Sequence, residues 1–165
     1  MMRGPLNIES STPACCLELA ALRLQGLTDL RGHLPIEPGA VGDDDEGRMH
    51  LHFSPGRWLT VCPSAAAAKQ GLPASLSVVD VTGKWHLLRL TGTGAENVLR
   101  FQLPVDGIFT GRACAAITIF DCPVVIQRCG AGFDVWTHAS YSEHLRDALA
   151  NAHRNLQSTS PTEAT

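Results

Sequence analysis

A chain of 165 residues, 44% hydrophobic and 18% charged, is long enough for one domain that buries about 70% of the surface its unfolded form exposes, which excludes wholesale disorder. Thirteen Lys and Arg against sixteen Asp and Glu leave a formal charge of −3, too weak a field of either sign to suggest nucleic acid as a partner. The start, MMRGPLNIESSTPACC, has no apolar segment behind its arginine, and the longest apolar stretch, around Cys15 to Leu24, is broken by Glu18 and Arg23; these features argue against a leader or membrane span and for a cytoplasmic protein.

Taken in chain order, residues 1–13 are polar with Pro and Gly and read as a flexible N-terminus. A single domain is expected over 14–156, followed by a disordered tail, 157–165. CCLELAALRLQGL (15–27) has no period that decides between helix and strand. PIEPGAVGDDDEGR (35–48) carries breakers and the acidic run Asp43, Asp44, Asp45, Glu46; without the alternating carboxylates of an EF-hand it reads as an exposed loop. Residues 49–53 alternate apolar and polar, and Pro55-Gly56 turns them into 57–61, a hairpin. SAAAAKQGL (64–72) reads as a short helix, and 76–81 with 84–90 as a strand pair around Thr82-Gly83. Thr93-x-x-Glu96 and Ser140-x-x-Glu143 fit the capping box. Residues 115–120, 124–129 and 133–137 form a meander turning at Asp121-Cys122-Pro123. The helix from Tyr141 to about Leu156 stripes Tyr141, Leu145, Ala148, Leu149, Ala152 and Leu156 on one face, to cover the sheet. Hairpins without regular strand–helix alternation define the class as α+β with antiparallel sheets.

Candidate chemistry is sparse. Cysteines 15, 16, 62, 114, 122 and 129 contain no CxxC and no zinc-ligand spacing, so free, mostly buried thiols are expected. His50 and His52 share a strand face, but no third metal ligand accompanies them, and His86, His138, His144 and His153 are scattered. LLRLTGTGAENVL (87–99) runs strand, Gly-x-Gly, helix. Asn97 occupies the third glycine position of a dinucleotide fingerprint and Glu96 would oppose a phosphate, so the segment reads as a tight turn. No catalytic, cofactor-binding or metal-binding residue is assigned. Trp58, Trp85 and Trp136 read first as core; because Trp and Arg are enriched at interface hot spots, Arg57, Trp58, Trp85 and Arg89 are the interface candidates. Trp85, Leu87 and Arg89 point to one face of their strand and His86, Leu88 and Leu90 to the other, so both faces are partly apolar, and either another chain or a helix of this one would cover the second.

From about residue 53 to 153 the chain resembles the gamma subunit of heterotetrameric sarcosine oxidase and its relatives, such as N-methylglutamate dehydrogenase. Four blocks carry the likeness. Ser54-Pro55-Gly56-Arg57-Trp58-Leu59 is similar to the family's Gly-Pro-x-x-Trp-Leu turn and strand. VVDVTGKWHLLRLTGTGAENVL (78–99) is similar to its Asp-x-Ser-x-x-Arg strand and Ser-Gly-Pro-x-Ala-x-x-x-Leu segment. Leu103-Pro104-Val105-Asp106 with Phe109-x-Gly111 resembles its Pro-x-Asp-Leu and Phe-x-x-Gly, and FDVWTHASYSEHLRDAL (133–149) resembles its closing strand, turn and helix. Departures are Thr82 for Ser, Thr93 for Pro, Gly107 for Leu and Ala139 before Ser140.

The resemblance implies a fold like the folate-binding domain of the glycine cleavage T-protein, a duplicated α+β unit, with no folate site retained. It implies alpha, beta and delta subunits as partners, with FAD, FMN, NAD, zinc and tetrahydrofolate held on those subunits and no cofactor in this chain. The complex would oxidatively demethylate a secondary N-methyl amine, sarcosine or a related N-methyl amino acid, to formaldehyde or methylene-tetrahydrofolate. This chain's part would be structural. The alternative is a stand-alone folate-binding, aminomethyltransferase-like protein, which needs a buried carboxylate for the pterin. Asp80 and Asp106, the carboxylates in the matching core blocks, both precede turns and are expected to cap them.

Overall fold

The structure is a computed structural model that describes residues 6–8, 17–22, 26–32, 41–43, 48–62, 72, 74–130 and 132–159. Two antiparallel sheets organise these residues, which makes the fold α+β. The first has six strands in the order β1 (Leu6–Ile8), β2 (Leu17–Leu22), β8 (Trp85–Thr91), β11 (Gly132–His138), β10 (Cys122–Cys129), β9 (Cys114–Ile119). The second has five, in the order β4 (Val41–Asp43), β5 (Met49–Ser54), β6 (Arg57–Cys62), β3 (Gly26–Arg31), β7 (Ser77–Asp80). Three helices, α1 (Ala95–Arg100), α2 (Val105–Ile108) and α3 (Ser142–Thr159), complete the described elements.

The period-two rule explains how these elements stack in three layers. On the first sheet, Leu88, Leu90, Val124, Ile126, Phe133 and Val135 face the helices and pack with Val98, Leu99, Leu145 and Leu149. The intervening residues Leu87, Val125 and Trp136 face the second sheet and meet Leu27, Leu51 and Leu59. The apolar residues on both faces of β8 are thus covered by this same chain, helices on one side and a sheet on the other. On the far face of the second sheet, Leu30, Trp58 and Leu76 form a third buried cluster.

Several expectations hold. The hairpin of 49–53 with 57–61 is β5 and β6, with a register shift between His52 and Ser54; β9, β10 and β11 form the meander, and the closing helix buries Leu145, Leu149 and Ala152. Residues 17–22, where the sequence leaves helix and strand open, and 26–31 are strands, and β1 and β4 lie within 1–13 and 35–48; Arg48 is buried. Other expectations are corrected. β7 and β8 do not pair with each other but enter different sheets, because the turn between them is bound to β3. Val81 donates to the Leu27 carbonyl (2.9 Å), and the Leu27 N–H donates to Thr82 Oγ1 (2.9 Å). The N-cap of α1 is Gly94, one residue after Thr93, and Ser140 lies inside a 3₁₀ turn, Ala139–Tyr141, that leads into α3. Tyr141 is exposed, and α3 runs on to Thr159, into the expected tail. The β9–β10 turn falls one residue early, on Phe120 and Asp121, both at positive φ (47° and 61°), as a two-residue hairpin loop requires. The helix expected at 64–72 lies, apart from Leu72, outside the described residues, as do Cys15 and Cys16.

Candidate interaction surface

Register puts Arg31 on β3 directly opposite Arg57 on β6, a like-charge pairing that is unfavourable by itself. Asp29, two residues back on the same face, relieves it. Its Oδ2 lies 3.0 Å from Arg57 Nη2 and 3.7 Å from Arg31 Nη2, while its Oδ1 is buried without a hydrogen-bond partner. Arg57 also sits over the Phe53 ring, 5.3 Å from its centroid. Trp58, the next residue, points to the opposite face and is 1% exposed; its ring stacks on His52 at 3.6 Å and its indole N–H donates to the Gly32 carbonyl (3.3 Å). Among the four interface candidates, Trp58 is therefore the one enclosed in the core.

Trp85 and Arg89 belong to the other sheet. Trp85, half-buried, lies against His138 with centroids 4.5 Å apart. Arg89 pairs with Asp134 on the neighbouring strand through two bonds, Nε to Oδ1 (2.7 Å) and Nη2 to Oδ2 (2.8 Å). The Asp134 side chain is 5% exposed and that of Arg89 44%. The hydrogen bond to Asp134 raises the Arg89 pKa further, so this fixed pair holds β8 to β11 and leaves part of the cation at the surface. The structure does not bring the four candidates into one patch: Arg57 lies on the second sheet, Trp85 and Arg89 on the first.

Several further polar groups have structural partners. His50 Nδ1 meets Thr60 Oγ1 at 2.8 Å inside the core. Ser142 Oγ gives its proton to the Ala139 carbonyl (2.9 Å) and lies 3.0 Å from His86 Nδ1, so it accepts from the imidazole and the pair clamps the start of α3 to β8 instead of activating a nucleophile. Cys62, Cys114, Cys122 and Cys129 are free thiols. Burial pushes Cys114 up to about 11 and also raises Cys122 and Cys129, which leaves these three little thiolate. Among the described residues no group of His, Cys, Asp or Glu is arranged to hold a metal ion.

At the Gly-x-Gly turn, Gly92 has φ +93°, the conformation for which glycine was expected. A shallow cleft of ≈230 Å³ opens beside it. Arg128 crosses this cleft, over the Phe109 and Phe133 rings at 5.4 Å and 3.9 Å from Glu96, and Glu96 also binds Arg100 at 2.7 Å, so a carboxylate occupies the place a phosphate would need. Asp80 caps its turn as expected, accepting from the Thr82 N–H (2.8 Å); the Asp106 carboxylate instead takes Arg100 (2.9 Å). The half-buried Asp29 and the buried Asp134 were missed in the sequence. Their signal is an opposite charge on an adjacent strand, visible only once the pairings β3–β6 and β8–β11 are known.

No family model matches the chain. In fold it matches a chain of the heterotetrameric sarcosine oxidase from Corynebacterium sp. U-96 in complex with pyrrole 2-carboxylate. The TM-score is 0.72 at 20% identity, over 93% of this chain and 90% of that one, a likeness of fold. In sequence it is similar to sarcosine oxidase subunit gamma from Corynebacterium sp. (strain P-1), 29% identical over 128 residues, and to the same subunit from Arthrobacter sp, 28% identical over 128 residues. Each match covers 72% of this chain and 63% of the relative's length. The resemblance to the gamma subunit of sarcosine oxidase is thereby borne out.

Proposed function

We propose that this chain is a non-catalytic gamma-type subunit of a heterotetrameric, flavin-dependent, sarcosine oxidase-like complex. Its fold would be that of the folate-binding domain of the glycine cleavage T-protein, without the folate site. Alpha, beta and delta subunits would be its partners and would carry FAD, FMN, NAD, zinc and tetrahydrofolate. The complex would oxidise a secondary N-methyl amine, sarcosine or a related N-methyl amino acid, with formaldehyde or methylene-tetrahydrofolate as product, and this chain would keep the assembly in shape. The observation that carries the reading is the coincidence of the two comparisons, sequence and fold, on the same subunit type. The commitment of the described thiols, His86 and Ser142 to packing and backbone contacts agrees with a structural role. At the contacts, Arg57, Trp85 and Arg89 would reach partners, and Trp58 would brace the strand that presents Arg57.

The stand-alone folate-protein alternative gains nothing from the geometry: Asp80 caps a turn, Asp106 is an exposed ion-pair partner, and both oxygens of the buried Asp134 are taken by Arg89. Deleting this chain from its own cells tests the structural role. Gel filtration of the extract is expected to show loss of the large N-methyl-amine-oxidising species and its return when the chain is resupplied. Activity eluting at unchanged size without the chain would contradict the role.

A further inference from the structure

The second sheet has an end where its core-facing side emerges into solvent. The residues that share a face with Leu27, Leu51 and Leu59 continue, toward that end, as Phe53, Arg57, Arg31 and Val79. In the core these positions are fully covered, whereas here Arg31 is 61% exposed, Arg57 45% and Val79 43%. Val79 is one of three large apolar side chains exposed among the described residues. It stands directly across from Asp29, on β7, which is paired with β3 and is an edge strand among the described residues. Two cations here share one carboxylate oxygen, so the patch keeps a surplus positive charge within a chain of net charge −3.

We infer that this patch, Arg31 and Arg57 around Asp29 with Phe53 and Val79 beside them, is a docking site for an acidic segment of a larger subunit that presents a carboxylate next to an apolar side chain. The inference rests on the subunit reading above and names the surface that serves it. Charge complementarity selects this occupant. An incoming carboxylate would take the guanidinium that Asp29 leaves only partly neutralised, at 3.7 Å. An apolar neighbour would cover Val79 and extend the buried face of the sheet. Arginine beside apolar surface is the composition of interface cores, and Arg57 is already held in place by Asp29 and Phe53, which lowers the entropy cost of docking.

The test places Arg31→Glu with Arg57→Glu in the chromosomal copy, with a tag on this chain, beside tagged wild type and Arg112→Glu, an exposed arginine elsewhere. Affinity-purified material is weighed by native mass spectrometry across a salt series. Wild type and R112E are expected to bring down the flavin-bearing larger subunits. The double reversal is expected to weaken that association by about tenfold or more, and rising salt should weaken the wild-type complex in the same direction. Hydrogen exchange of the wild-type complex against the free chain is the second readout, should the double variant misfold. Residues 28–31, 53–58 and 77–80 are expected to gain protection in the complex. If wild type brings down the flavoprotein subunits and the double variant does so equally well, or the three segments gain no protection, the docking site is wrong while the subunit reading stands. Wild type recovered alone, or only with copies of itself, overturns both.

Discussion

Arg57 and Trp58, adjacent in sequence, have opposite fates because a strand sends alternate side chains to opposite faces. Arg57 faces the exposed end of the second sheet, while Trp58 fills the third cluster with Leu30 and Leu76 and reaches Gly32 by its N–H. Replacing Trp58 by Ala is therefore expected to cost about 3–5 kcal/mol of stability through the cavity it leaves, read as a lower urea midpoint of the full chain. A variant as stable as wild type but released from its partners would show instead that the indole is spent on an interface. His153, buried on α3, makes a second residue-level case. Burial lowers its pKa below 6.5, and Gln157 Nε2, 3.0 Å from His153 Nε2, has a proton to donate only to the unprotonated ring. The unfolded chain thus takes up a proton near pH 6.5 before the folded chain does, so stability is fully present above that pH and falls as the pH drops toward the folded pKa. Urea midpoints measured at pH 7.5 and 5.5 are expected to fall less in His153→Gln than in wild type. An identical fall in both would mean the imidazole is not held neutral.

At the scale of elements, the strands β8 and β11 are the centre of the first sheet, and Gly132 starts β11 against the Leu90 backbone. A Cβ at position 132 would run into the Leu90 carbonyl, backbone that has nowhere to retreat between β2 and β11. Gly132→Ala is expected to destabilise the chain by about 1–3 kcal/mol, with the loss of exchange protection concentrated in 85–91 and 132–138; protection lost evenly over the whole chain would contradict this placement. The same strands show what the sequence made legible. β5 with β6 and the β9–β10–β11 meander were readable because each has a turn between alternating runs. β3 was not, since Leu27, Thr28 and Leu30 are all buried, so covering both faces of the strand erased the period-two signal. β7 and β8 looked like a hairpin because their separation suits one; only the bonds of Val81 and Thr82 to Leu27, 55 residues away for Thr82, send the chain across to the other sheet. The candidate surface suffered in the same way. Arg57 was visible as a residue type, but its partners Asp29 and Arg31 lie just beyond the 15–27 stretch that showed no period, where no element was expected.

On the scale of the whole molecule, three stacked layers account for why residues on both faces of β8 are apolar without any second chain. Among the described residues, Val79, Phe101 and Tyr141 are the large apolar side chains left exposed, and the proposed contacts with other chains would be made there and at the sheet ends. The four sequence blocks that carry the family likeness fall on β6, on β7 through α1, on α2, and on β11 with α3, so they trace elements of all three layers. Their agreement with the fold match is what the central claim, proposed above, rests on: that the chain would work as a subunit of a flavin-bearing assembly. Native mass spectrometry with an absorbance spectrum, on the tagged chain purified gently from its own cells, tests that claim most directly. The account predicts a yellow complex in which the 17.7 kDa chain is joined by three other polypeptides, while a colourless species of that mass alone would contradict it.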